Sequence, residues 1–239
     1  MREYTIYGKD LNMKIDYIQK TARKSLSIII NDRGEVLVKA PKKMSNNDIL
    51  KFVQCKEDWV NKKVEQIKKH NAVNQDLFNY KCIMFCGKKY NVIKDDNCKT
   101  ITLTDNDIII KTALSPKKEI RQLERFLKDK CIEIVGQRIK YFSNLMQLEP
   151  SEVKLMNAKR RWGTCDSNQV IAINWRLVML PPRLIDYVVV HELAHLMEMN
   201  HSSAFWAIVS AVLPDVKKLR ANLKECSFVL QQFREIPLN

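Results

Sequence analysis

Three of the four histidines in the chain, His191, His195 and His201, fall within eleven residues, and a glutamate, Glu192, follows the first of them. His191-Glu192-Leu193-Ala194-His195 has the spacing H-E-x-x-H. On an α-helix, residues i and i+4 lie about 40° apart, one turn along the same face, so both imidazoles reach a single ion. Glu192 falls on the flank of that face, where a carboxylate meets a water on the metal rather than the metal itself. Zinc held by three protein ligands lowers the pKa of such a water to about 7, and a neighbouring carboxylate takes the proton. That chemistry is hydrolysis.

Two ligands are too few. On a straight helix His201 would lie about 9 Å beyond His195, so the helix must end and the chain turn back. Asn200 tolerates the left-handed conformation and is the expected turning residue. Ser202 is the expected N-cap of a new helix carrying Phe205, Trp206, Val209 and Val212. The stretch Leu184–Met197 is apolar on nearly all sides. Burying two histidines and a glutamate there is costly unless something binds them, and a metal does. Three neutral nitrogen ligands suit one zinc ion. A purely structural zinc is the alternative, but such sites close with a fourth protein ligand, and a glutamate beside the first histidine suits a hydrolytic site.

The elements that must carry these residues are legible in outline. Pro181-Pro182 opens the helix of the motif, and Ser115-Pro116 opens an earlier one. In that earlier helix Ile120, Leu123, Leu127, Cys131, Ile134, Ile139, Phe142 and Leu145 form an apolar stripe about 30 residues long, closed by Pro150. Val153–Met156 and Val170–Ile173 read as strands around a loop, Arg160–Ser167. Upstream, Ser27–Ile30, a turn at Asn31–Gly34 and Val36–Ala40 form a strand–turn–strand signal. Ser45 opens a helix with Ile49, Phe52, Val53, Trp59, Val60, Val64 and Ile67 at helical spacing. Short β-type runs follow at Tyr80–Cys86, Tyr90–Ile93, Ile101–Leu103 and Ile108–Ile110. The fold class is α+β: a basic, β-rich N-terminal region over residues 1–112, then a mainly helical, metal-binding catalytic domain over 113–239.

Composition bounds the reading. The 239 residues are 46% hydrophobic and 28% charged, which excludes wholesale disorder. No apolar run approaches the roughly 20 residues of a membrane span, and Met1–Asp10 has no apolar signal region, so the expectation is a cytoplasmic protein with no membrane partner. Seven cysteines in that compartment are expected as reduced thiols, and the C-x3-C pair Cys82 and Cys86 has no partner pair at zinc-ribbon spacing. The net charge of +14 is uneven: residues 1–150 hold 30 basic and 19 acidic side chains, residues 151–239 hold 11 and 8. The ordinary reading of the basic part is a solvated surface; the sharper one is contact with nucleic acid or nucleotide.

Several segments together resemble the YgjP-like predicted zinc metallopeptidases, zincin-fold relatives of the SprT and WLM (Wss1-like) proteases. They are Arg161-Trp-Gly-Thr-Cys165, Asn174-Trp-Arg-Leu177, Asp186-Tyr-Val-Val-Val-His-Glu-Leu-Ala-His-Leu196 and Asn200-His-Ser-Ser-Ala-Phe-Trp206. A looser pattern at Arg23-Lys-Ser-Leu26 and Trp59-Val-Asn-Lys-Lys63 extends the resemblance over roughly residues 14–228. It implies a zincin-like domain, His191, His195 and His201 as zinc ligands, Glu192 as general base, and the Trp162-Gly163-x-Cys165 loop and Asn174 near the cleft. Glu198 and Glu225 are the alternative third ligands. The histidine spacing equals that of metzincins, but Glu198 stands in place of their glycine and no Met-turn is evident. Tyr187 and Arg161 are the candidates for a donor to the oxyanion, against core packing for the one and a surface cation for the other.

The leading function is a zinc metallopeptidase acting on a peptide or protein. The alternatives are a metal-dependent phosphohydrolase acting on nucleotides or nucleic acid, and a nucleic-acid-binding protein with a vestigial zinc site. One carboxylate beside one metal favours carbonyl attack, since phosphoryl-transfer sites more often gather several acidic ligands for two metals.

Overall fold

The chain is described here by a computed structural model, which covers residues 14–31, 34–73, 77 and 79–233. It divides into two compact units, Met1–Gln75 and Asp76–Asn239. Among the described residues no helix is long and apolar enough to cross a membrane. Met1–Asp10, and Asp32 and Arg33 of the expected turn, lie outside the described residues.

In the first unit, β1 (Tyr17–Thr21), β2 (Ser27–Ile30) and β3 (Val36–Pro41) form a sheet in the order β1-β3-β2. β1 runs parallel and β2 antiparallel to β3, with Ile18 and Ile28 both in register with Val38. Ile15, Ile18, Val38 and Ala40 bury one face against Ile49 and Val53 of α1 (Asn46–Gln54). Ser45 caps that helix by accepting the Asp48 N–H at 3.1 Å. The apolar series from Ile49 to Ile67 makes two helices, not one: α1 stops at Gln54 and α2 runs over Glu57–Val73. The reason lies in the residue types. The next positions of the stripe after Val53 are Lys56 and Glu57, and Glu57 and Asp58 supply the acidic first turn of a new helix.

The second unit opens with β4 (Cys82–Phe85), β5 (Lys88–Asp95), β6 (Thr102–Leu103) and β7 (Asp107–Lys111), ordered β4-β5-β7-β6. Cys86 and Gly87 connect β4 and β5 with φ of 49° and 78°, the two positive values of a tight hairpin turn. Their N–H groups donate to the carbonyls of Val178 and Met179. A Cβ on Gly87 would fall 2.7 Å from Pro181 Cα, so only glycine fits there. The helix α3 (Pro116–Met146) presents Ile120, Leu123, Leu127, Cys131, Val135, Ile139 and Phe142 to the core. It ends on Gln147 in the left-handed region, before Pro150 is reached.

A second sheet follows, β8 (Glu152–Met156), β9 (Gly163–Cys165) and β10 (Val170–Asn174), in the order β8-β10-β9. The expected loop Arg160–Ser167 therefore contains an edge strand: Gly163–Cys165 is only three residues long and opens on glycine, which strands disfavour, but it pairs antiparallel with Ile171–Ile173. A 3-10 helix (Trp175–Met179) leads into α4 (Pro182–Ala194), α5 (Ser203–Val212) and α6 (Val216–Glu225). One core joins all of this. Ile83, Phe85, Ile108 and Ile110 of the first sheet are buried with α3, β10, the 3-10 helix and α4, so residues 83–110 share the core of the helical part. The compact units divide at 75/76, and position 112/113 falls between β7 and α3 within the second unit. No disulfide joins any of the seven cysteines.

Candidate metal centre

α4 is the scaffold of the site. Pro181-Pro182 starts it, and Leu184, Ile185, Val188, Val189, Val190 and Leu193 bury it in the core. Arg138 of α3 grips it from the side, Nε and Nη2 donating to Oδ1 and Oδ2 of Asp186 at 2.6 and 3.1 Å. The helix ends at Ala194 with His195 at its cap. The chain turns back at once: Leu196 N–H bonds to the Leu193 carbonyl, and Met197 and Glu198 N–H groups to that of Ala194. Asn200, the expected turning residue, lies in a bend but is not left-handed. Ser202 caps α5 as expected, accepting the Phe205 N–H at 3.3 Å.

This brings the three histidines together. One ligand atom from each of His191, His195 and His201 lies within 4.8 Å of the others, a set able to hold a metal ion. His191 Nε2 and His201 Nε2 are 3.0 Å apart, close to the roughly 3.3 Å expected of two nitrogens sharing a tetrahedral zinc. His195 Nδ1 is engaged with the Glu198 carbonyl at 3.0 Å, which assigns the proton to Nδ1 and leaves Nε2 for a metal. Glu198 itself uses Oε1 to accept the Asn200 N–H. The donor set therefore fits the ion expected of it. Burial, and then the neighbouring imidazoles, hold His191 down to about 3, and burial also lowers His195, which favours the neutral form of both imidazoles.

Beneath the rings lies Phe205, fully buried, with centroid distances of 4.9, 4.6 and 4.7 Å to His191, His195 and His201. Trp206 stacks on His201 at 5.7 Å and 27°, and the Arg220 guanidinium covers Trp206 at 4.3 Å. The sequence placed Phe205 and Trp206 on the helix that Ser202 caps but not under the site. The signal that was available is the Ser202 cap, which sets Phe205 on the first turn of α5.

Glu192 occupies the other flank. It is 5% exposed, and burial pushes its carboxyl up to about 8. The strand β9 runs against it, with Gly163 facing its side chain. Cys165, two residues on, is half-buried, and burial first, then the Glu192 and Asp166 charges, raise its thiol pKa. Asn174 is wholly buried and works as a brace: Nδ2 donates to the Ala158 and Arg161 carbonyls at 2.8 and 2.9 Å, and Oδ1 accepts the Arg176 N–H. Its own N–H donates to the Trp162 carbonyl at 2.8 Å. The Arg161 side chain is exposed, and Trp162 is half-buried against the core. Tyr187 is buried one turn before His191, its ring edge-on to that imidazole at 5.9 Å.

A family model, the YgjP-like metallopeptidase domain, matches residues 24–226. No curated protein shows a match to the chain. Among solved structures, the chain is similar to the metallopeptidase zymogen of Pyrococcus abyssi abylysin, with 22% identity and a TM-score of 0.37 over 41% of this chain and 96% of that one, a likeness too slight to bear on the fold.

Proposed function

The chain belongs to the YgjP-like metallopeptidase family, and from that premise we propose that it hydrolyses peptide bonds at a single zinc held by His191, His195 and His201, with Glu192 as general base. The observation that carries this reading is the convergence of three imidazoles beside a buried carboxylate that β9 covers. Bound at that set, zinc supplies a Lewis acid for the scissile carbonyl and an acidified water. Glu192 takes the proton of the attacking water and later delivers it to the leaving nitrogen. Phe205 packs beneath the imidazole rings, Trp206 stacks on that of His201, and the Glu198 carbonyl keeps His195 in the ligating tautomer.

Substrate placement follows from the sheet. β9 is an edge strand of its sheet, and Glu192 lies against its face at Gly163. An extended peptide laid along that edge gains main-chain hydrogen bonds with its scissile bond next to the base. Tyr187 and Arg161 remain the candidates for the oxyanion, Tyr187 being the one whose ring contacts a histidine of the set.

The test is zinc-loaded protein assayed on casein, nucleoside triphosphates and single-stranded DNA, beside Glu192→Gln. Casein cleavage that needs Glu192 supports the proposal. Consumption of nucleotide alone, dependent on Glu192, would replace it with phosphohydrolysis, and a fully active Glu192→Gln would remove the assigned base.

A further inference from the structure

Gly163 stands at the first position of β9, in register with Ile173 of β10. Its backbone does not require glycine: among the described glycines only Gly34 and Gly87 have positive φ. What requires it is space. A Cβ built on Gly163 would fall 2.6 Å from both Cγ and Cδ of Glu192, and nearer still to Oε1, distances that real Cβ contacts essentially never show. Glycine inside a strand marks such close approaches.

Something must move if a methyl group is placed there, and the surroundings decide what. α4 is pinned by the Arg138–Asp186 pair and by Val188, Val189 and Leu193 in the core. β9 is tied to β10 over Gly163–Cys165. The free torsions are those of the Glu192 side chain, so the methyl group would turn the carboxylate away from the place it now occupies.

We propose that Gly163 is a positioning residue: by carrying no side chain it sets the rotamer of Glu192 and with it the aim of the base. This rests on the reading of Glu192 as general base. The structure supplies its own control in Gly136 of α3, where an added Cβ would meet nothing within 4 Å.

Two measurements on the full chain test the proposal. In the zinc-loaded protein, Gly163→Ala is expected to lower kcat roughly 10–100-fold with KM and zinc content unchanged, while Gly136→Ala changes none of them. In the metal-free protein, Gly163→Ala is expected to lower Tm by roughly 4–8 °C, and that drop should vanish when Glu192 is also replaced by alanine, which has no Cγ or carboxylate to strike. The second readout needs no turnover, so it tests the contact even if the peptidase reading fails. An unchanged kcat, a raised KM with kcat kept, or a Tm loss equally large in the Glu192→Ala background would each overturn the assignment.

Discussion

On one flank of α4, His191 and His195 meet His201 above the Phe205 ring, and His201 is open to solvent. On the adjacent flank Glu192 is shut beneath the backbone of β9. Burial acts on both flanks and disfavours charge on both, but the consequences differ. A neutral imidazole is what a metal ligand must be, so burial prepares His191 for its task. A protonated carboxyl cannot take a proton, so the same burial disarms Glu192, whose pKa of about 8 leaves it mostly neutral at pH 7 in the metal-free chain. A dication held among the imidazoles would favour the ionised form of a carboxyl beside it.

The contrast can be broken most completely from the imidazole flank. His195→Ala is expected to lose zinc and to reduce peptide hydrolysis to background, a loss of roughly 10⁶-fold or more, measured as zinc content after gel filtration beside turnover. Retained zinc with retained turnover would exclude His195 from the set. From the carboxylate flank, Glu192→Gln is expected to keep its zinc while kcat falls about 10²–10⁴-fold, so metal content and rate part company there and nowhere else in the motif.

A pH series sharpens the comparison in the metal-free chain. Glu192 moves from an ordinary 4.5 to about 8, so the folded state binds more protons between those values and stability falls as pH rises through that window. His191 moves from 6.5 to about 3, so the folded state binds fewer protons between those values and stability rises with pH through them. The Tm of Glu192→Gln minus that of the unaltered chain should therefore grow from pH 4.5 to 8; thermal melts giving a flat difference would contradict the burial of Glu192. The smallest effect concerns the loop that leads into β9. Asn174→Ala removes the donor to the Ala158 and Arg161 carbonyls and the side-chain acceptor of the Arg176 N–H, at a cost of about 1–3 kcal/mol in denaturant melts. A several-fold loss of kcat with full zinc content should accompany it, since the displaced loop carries the strand that covers Glu192.

What could be read without coordinates was local. The i,i+4 spacing of His191 and His195, the Pro181-Pro182 start and the Ser202 cap each depend on a few neighbouring residues, and each appears in the fold. The reversal after Ala194 was legible as a necessity, from the reach of a helix, but not in its means. β9 was hidden because its three residues become a strand only by pairing with β10. The approach of Gly163 to Glu192 joins residues 29 apart in sequence, and a lone glycine carries no mark of what it faces. The break between α1 and α2 was visible in Lys56 and Glu57 but masked by the regular apolar series on either side.

The early stop of α4 has an electrostatic consequence as well. Because the helix ends at Ala194, two of the three imidazoles stand in or beside its last turn, where backbone dipoles summed along the axis place about half a negative charge. A cation at that end gains roughly 0.3–1 kcal/mol from the backbone alone, whichever side chains surround it. The peptide chain of α4 would thus itself be a weak partner of an ion held there, one that no single substitution can remove.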